Sequence, residues 1–377
     1  MTRVLFVQGA GERGGAETAL AALTGALPAF GVEPVVATLA DGPFIAELEA
    51  SGVEVERLAP APRARQLWRT ADVVEPLARV VESTGAELVH SSGEKMAWYG
   101  GRAARCADVP SVVWLHDAPL RSPSSAALQL AMVLRRHDAL TAGSQWMARS
   151  FRKRLGLKVE PIPIGVDLAR LPAARADVRR LAGLPDDAIV VGHFARLQRW
   201  KGADAFLRSA AKVAPRHPAT HFVVVGGSLY GWEQEYADSL PGLAQSLGLD
   251  GRVHFLGHRD DALGLMAGCD VVAHASVRAE PLGIVVIEAV ALGCAVVATR
   301  TGGPEEIIDD GVTGLLVAPG DPEELARAVD TLVGDAAVRD RLGKAGQVSA
   351  RNDWSATTMA ERFAALYDRL TMTRSRT

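Results

Sequence analysis

Short apolar runs separated by longer amphipathic stretches recur along the whole chain. The runs RVLFVQ, EPVVATL, VEVERL, AELVHSS, SVVWLHD and ALTAGS have the character of buried strands. Between them apolar residues return at helical spacing, as in AETALAALTGALPAFG. Such alternation predicts a parallel sheet with helices on both faces. The run KVEPIPIGVDLARLPAARADVRRLAGLPDD breaks the rhythm with several prolines, and residues 168–185 within it are read as a hinge between two domains. The rhythm restarts at AIVVGHFARL and continues through THFVVVGG, RVHFLGH, DVVAHAS, CAVVATR and TGLLVAPG. The tail WSATTMAERFAALYDRLTM carries apolar residues at helical spacing and predicts a last helix. The expected class is α/β: two doubly wound parallel-sheet domains over residues 1–167 and 186–353, with residues 354–377 as a separate terminal helix. In such sheets ligands bind beyond the carboxyl ends of the strands. Two of them facing one another would enclose a central cleft.

Composition narrows the picture. Of 377 residues, 48% are hydrophobic and 23% charged, which suits two folded domains with ample cores and argues against disorder. A net charge of −3 gives no general attraction to nucleic acid, so any basic surface must be local. Cys106, Cys269 and Cys294 are odd in number and widely spaced, as expected of reduced thiols in a cytoplasmic protein. The opening RVLFVQGAG is too short for a signal peptide, and no run reaches the length of a membrane helix. Asn352 is the only asparagine amid abundant Ala, Arg and Gly, which points to a high-GC bacterial genome or a thermophile.

The loops after the strands carry the candidate chemistry. QGAGERGGAE follows the first strand; Gly14 and Gly15 would let a ligand approach the start of a helix, whose amides favour anions. HSSGEKMAWYGGR offers Ser92, Glu94 and Lys95, and VVWLHDAP places His116 just past a strand as a hydrogen-bonding group for a hydroxylated ligand. Trp98 and Tyr99 are either core or a stacking surface. HFARLQRWKG sets Arg196 and Lys201 around a short loop, two cations suited to a pyrophosphate. In LGHRDDALG, His258 and Arg259 are candidates to meet a base, and Asp260 and Asp261 are expected to cap the next helix. RAEPLGIVVIEAVALG poses a puzzle of its own, because Glu280 and Glu288 bracket an apolar run. Pro281 and Gly283 delay the helix to about Ile284. Glu280 then lies in a loop and Glu288 four residues into the helix, with the amides of Leu282, Gly283 and Ile284 between them. Each carboxylate is expected to be either solvated or in contact with a polar ligand.

Taken together, RLQRWKG, VVVGG, RVHFLGHRDD, EPLGIVVIEAVALG and GGPEEIIDDGVTGLLVAPGDPEEL resemble glycosyltransferase family 4, the group-1 family of retaining GT-B enzymes. The resemblance is strong from about Ile189 to Gly320 and diffuse before that. It implies a GT-B fold of two Rossmann-like domains and a nucleoside-diphosphate sugar as donor substrate, with no cofactor. Glu280, in the E-x7-E motif, would contact the donor sugar, and Glu288 the ribose. Arg196 and Lys201, in the R-x4-KG loop, would neutralise the diphosphate. Gly14 and Gly15 would approach the diphosphate and sugar, and His116 would bind a donor hydroxyl near the reacting carbon. The last helix would cross back to the first domain. Two departures stand out: Ile164 where the family often has Asn before Gly-Val-Asp, and Leu282 where Phe is common. No D-x-D triplet occurs, so the implied transfer is metal-independent, with retention through front-face attack. The acceptor is left unspecified.

Rival readings are a sugar-nucleotide epimerase or phosphorylase on the same scaffold, a non-catalytic sugar-nucleotide-binding protein, and a two-domain dehydrogenase. Within ARSFRKRLGLK, residues 149–158 are a candidate for peripheral contact with anionic lipid; the alternative is a solvated helix face.

Overall fold

The computed structural model describes residues 1–60, 70–119, 125–172, 176–228, 231 and 233–374. The chain divides into two compact units. Unit 1 is Met1–Asp167 with Ser355–Thr377, and unit 2 is Leu168–Trp354.

Unit 1 is built on β1 (Thr2–Gln8), β2 (Val32–Thr38), β3 (Glu54–Arg57), β4 (Leu88–Ser92), β5 (Ser111–Leu115), β6 (Ala139–Ala142) and β7 (Glu160–Pro161). They form one parallel sheet in the order β3-β2-β1-β4-β5-β6-β7. Strands β4 and β5 are buried at every position, as expected of a sheet covered on both faces. On one face Leu5, Val7, Val35 and Val89 pack with Val73, Leu77 and Val81 of the helix Ala71–Thr84 and with Tyr99 of the helix Glu94–Cys106. Of the residues of opposite parity, Phe6 packs on His90, and His90 and Trp114 meet the last helix, Ala356–Arg374, at Phe363, His90 also at Tyr367. Each large apolar side chain so buried contributes about 1.5–3 kcal/mol.

The chain leaves unit 1 after Asp167 and re-enters it at Ser355. These two passages are stitched together. Val166 and Ser355 form a parallel bridge, and the amide of Ala356 donates to the carbonyl of Val166 at 2.8 Å. A Cβ on Gly165 would lie 2.0 Å from the Ser355 carbonyl oxygen, so only glycine permits the approach.

Unit 2 contains β8 (Ile189–Phe194), β9 (Thr220–Val225), β10 (Val253–Gly257), β11 (Val271–His274), β12 (Ala295–Thr299) and β13 (Leu315–Val317), parallel in the order β10-β9-β8-β11-β12-β13. Its core joins Val191, Val224 and Val297 to Phe206 and Leu207 of the helix Ala203–Val213 and to Leu325, Val329 and Leu332 of the helix Pro322–Gly334. In both units the strand order reverses beside the first strand, which is the switch point of a doubly wound sheet.

The proline-rich run after Lys158 holds more structure than its breakers suggest. Glu160–Pro161 adds a short edge strand, where a missing amide is tolerated. Within the segment read as a hinge, the helix Val178–Ala182 is capped by the Asp177 carboxylate, which accepts from the amide of Arg180. Residues 173–175 of that segment lie outside the described residues. Among the described residues, no helix is long and apolar enough to cross a membrane.

Candidate functional site

In unit 2 the loop after β8 and the loop after β11 meet at one ion pair. Lys201 Nζ lies 2.6 Å from Glu280 Oε2, with both side chains largely buried. Lys201 also sits 4.1 Å above the Trp200 ring. The Ser276 hydroxyl donates to the same carboxylate oxygen at 3.1 Å, and His274 Nε2 lies 3.0 Å from that hydroxyl and 3.5 Å from the oxygen. With the serine hydrogen committed to Glu280, His274 Nε2 is the donor to Ser276. The Thr299 hydroxyl, 3.3 Å from His274 Nδ1, donates to the Ser276 carbonyl at 2.9 Å. Burial alone would raise the Glu280 pKa. The Lys201 charge and the His274 contact outweigh it and hold the carboxyl well below the usual carboxylate range.

Glu280 is therefore a buried carboxylate whose Oε2 is already held by Lys201, Ser276 and His274. His274, Ser276 and Thr299 were not singled out from sequence. The available signal was polar residues ending the apolar strands DVVAHAS and CAVVATR at the end where ligands bind.

Backbone contacts lock the same loop. The amide of Glu280 donates to the Thr301 carbonyl at 3.2 Å, and that of Gly303 to the Glu280 carbonyl at 2.7 Å. Gly302 adopts φ +79°, and a Cβ there would fall 2.2 Å from the Glu280 carbonyl oxygen. The helix Ile284–Ala291 begins next, preceded by Gly283 in a left-handed conformation. No acceptor among the described residues takes the amides of Leu282, Gly283 or Ile284. Glu288 lies half-buried on this helix, four residues beyond Ile284.

Other expected site residues stand apart from this network. Arg196 is exposed in the loop after β8, and among the described residues no carboxylate pairs with it. Arg259 is forked onto Asp261 at 2.8 and 2.9 Å. That changes the capping expectation: Asp261 occupies the N-cap position of the next helix, but its side chain binds Arg259 instead of the helix amides. His258 is exposed, 3.9 Å from Asp260. Glu305 accepts from the Gly302 amide at 3.3 Å, a local structural contact.

Unit 1 gathers a second group at the ends of β4 and β5. Ser92 Oγ lies 2.9 Å from His116 Nε2. Burial lowers the His116 pKa to about 4, so the ring is neutral near pH 7. Glu94 opens the helix after Ser92; burial, reinforced by Asp117, pushes its pKa up to about 7. Lys95 is exposed. Tyr99 is core, and the Trp98 face is covered by the Arg102 guanidinium at 3.8 Å. Gly14 precedes the helix Gly15–Ala26, and Glu17 accepts from its amide at 3.1 Å in a capping-box contact. This helix start is thus already met by the protein's own carboxylate. Among the described residues, no three His, Cys, Asp or Glu side chains converge as a metal site.

Residues 175–349 match the model of glycosyl transferases group 1, and residues 13–170 that of glycosyltransferase family 4. The D-inositol 3-phosphate glycosyltransferase of Salinispora tropica is 33% identical over 396 residues, spanning 94% of this chain and 81% of the relative. The chain belongs to the group-1 glycosyl transferases. A second relative, the D-inositol 3-phosphate glycosyltransferase of Corynebacterium jeikeium, is 31% identical over 77% of this chain and 74% of its own length. Among solved structures, HepE of Anabaena in complex with UDP and glucose superposes with a TM-score of 0.85 at 31% identity, over 98% of this chain and 100% of that one. The sucrose-phosphate synthase of Thermosynechococcus elongatus shares the fold at 23% identity, with a TM-score of 0.82 over 99% of this chain and 100% of its own. The GT-B fold and the family inferred from the motifs are both found, and this group-1 glycosyl transferase is a glycosyltransferase.

Proposed function

We propose that the chain moves a sugar from a nucleoside-diphosphate sugar to an acceptor hydroxyl, with retention at the anomeric carbon and without a metal ion. The observation that carries this reading is the buried Lys201–Glu280 pair beside the unclaimed amides of Leu282, Gly283 and Ile284. Acceptors for sugar hydroxyls and donors for phosphate lie side by side. Glu280 orients Lys201 and contacts the donor sugar, and Arg196, which pairs with no carboxylate among the described residues, adds the positive charge that a departing diphosphate needs. Glu288 takes the ribose, and His258 and Arg259 lie toward the base. In unit 1, His116 binds a donor hydroxyl, Gly14 and Gly15 give close approach to the diphosphate, and Ser92, Glu94 and Lys95 belong to the acceptor side. The acceptor oxygen bonds to the anomeric carbon on the face the diphosphate leaves. The bond from that carbon to the phosphate oxygen breaks, and the acceptor proton passes to that oxygen. The absence of a D-x-D triplet supports a role for protein cations in place of a chelated metal.

HepE was crystallised with UDP-glucose, and the two relatives described above are D-inositol 3-phosphate glycosyltransferases, so UDP-glucose and D-inositol 3-phosphate are the first donor and acceptor to test. The assay is nucleoside diphosphate release from UDP-, GDP-, ADP- and dTDP-sugars. Lys201→Ala and Glu280→Ala should each lower the rate by about 10²–10³-fold. Wild-type release from both variants would overturn the assignment. NMR of the product reports the anomeric configuration, and an unchanged rate in a chelator supports metal independence.

A further inference from the structure

One set of rings that packs on His116 leads to the last helix, Ala356–Arg374. The His116 Nε2 is tethered to Ser92, while its buried Nδ1 has no hydrogen-bond partner among the described residues. The Trp114 ring packs against the imidazole, 4.9 Å away. Trp114 is fully buried, and its Nε1 also has no partner among the described residues, so packing holds that ring. Phe363 meets it edge-on at 5.2 Å, and His90 lies at 5.9 Å. His90 is in turn pinned by the Tyr367 hydroxyl, 2.6 Å from its Nδ1, and packed against Phe363 at 5.2 Å. Phe363 and Tyr367 are four residues apart on one face of the last helix.

We infer that Phe363 and Tyr367 are positioning residues for the His116 imidazole, acting through Trp114 and His90. In a close-packed interior a ring turns only where its neighbours leave room. Removing the Phe363 ring frees Trp114, and with it the face against which His116 rests. Only the kinetic consequence rests on the donor-binding role proposed for His116; the positioning does not.

The test labels histidine with 13C and follows the imidazole resonance of His116, assigned with His116→Gln, in the full-length protein. Phe363→Leu and the near-isosteric Tyr367→Phe are compared with Leu366→Ala, a core truncation on the same helix outside the ring cluster. Phe363→Leu should move the His116 resonance and lower kcat/KM for the donor about 10-fold, with the Kd for UDP unchanged. Tyr367→Phe should do the same to a smaller extent, and Leu366→Ala should do neither. An unmoved resonance in both ring variants overturns the inference, as does an equal shift in Leu366→Ala. A moved resonance with unchanged kinetics upholds the positioning and overturns the sugar-binding role of His116.

Discussion

A carboxylate and an ammonium buried together are tolerated only as a pair. Glu280→Gln would leave the Lys201 charge largely buried without a partner, and we expect a loss of about 3–5 kcal/mol in chemical denaturation. The double variant Lys201→Met with Glu280→Leu should recover most of that stability while losing nucleotide binding. Because the folded-state pKa of Glu280 is depressed, the pair's contribution is present above the usual glutamate range and fades as pH falls below it. Glu94 has the opposite sign. Its raised pKa, about 7, means that the fold favours the protonated form, so stability declines as pH rises from about 5 to 8. Glu94→Gln should raise the melting temperature at pH 8 and change it little at pH 5; equal shifts at both values would refute this. Motif spacing made Glu280 and Lys201 legible in the sequence, but not their union. Two residues 79 positions apart come together only because parallel strands bring their carboxyl ends to one edge.

Strands were the most legible elements, because burial on both faces writes them as unbroken apolar runs. The short Glu160–Pro161 strand escaped notice: an edge strand needs neither an apolar run nor a full set of amides. The helix start at Ile284 was legible from Pro281 and Gly283. The fate of Asp261 was not, because an N-cap residue with an arginine two positions earlier has two competing donors, and the charged fork won. At this scale the Gly302 turn is the sharpest test. Gly302→Ala would force the Glu280 carbonyl aside, and both thermal stability and UDP affinity should fall. Unchanged UDP binding by calorimetry would show that the turn does not set the Glu280 loop.

Across the whole molecule charge is uneven. Residues 133–159 carry seven Lys and Arg and one acid, within a chain of net charge −3. Arg149, Arg152, Lys153 and Lys158 are exposed on or just beyond the helix Gln145–Leu155. If this surface meets anionic lipid, Arg152→Glu with Lys153→Glu and Lys158→Glu should weaken sedimentation with phosphatidylserine vesicles by on the order of a hundredfold. Equal sedimentation with neutral vesicles, or none with either, would leave a solvated helix face. The re-entry of the chain at Ser355 also sets an order of events during synthesis. Residues 168–354 must all emerge from the ribosome before Phe363 and Tyr367 can cover His90 and Trp114. At about 5–20 residues per second, one face of the first sheet waits on the order of 10–40 s without its final cover. A chain truncated before Ser355 should therefore recruit chaperones and be cut by protease within unit 1, while unit 2, contiguous in sequence, can close.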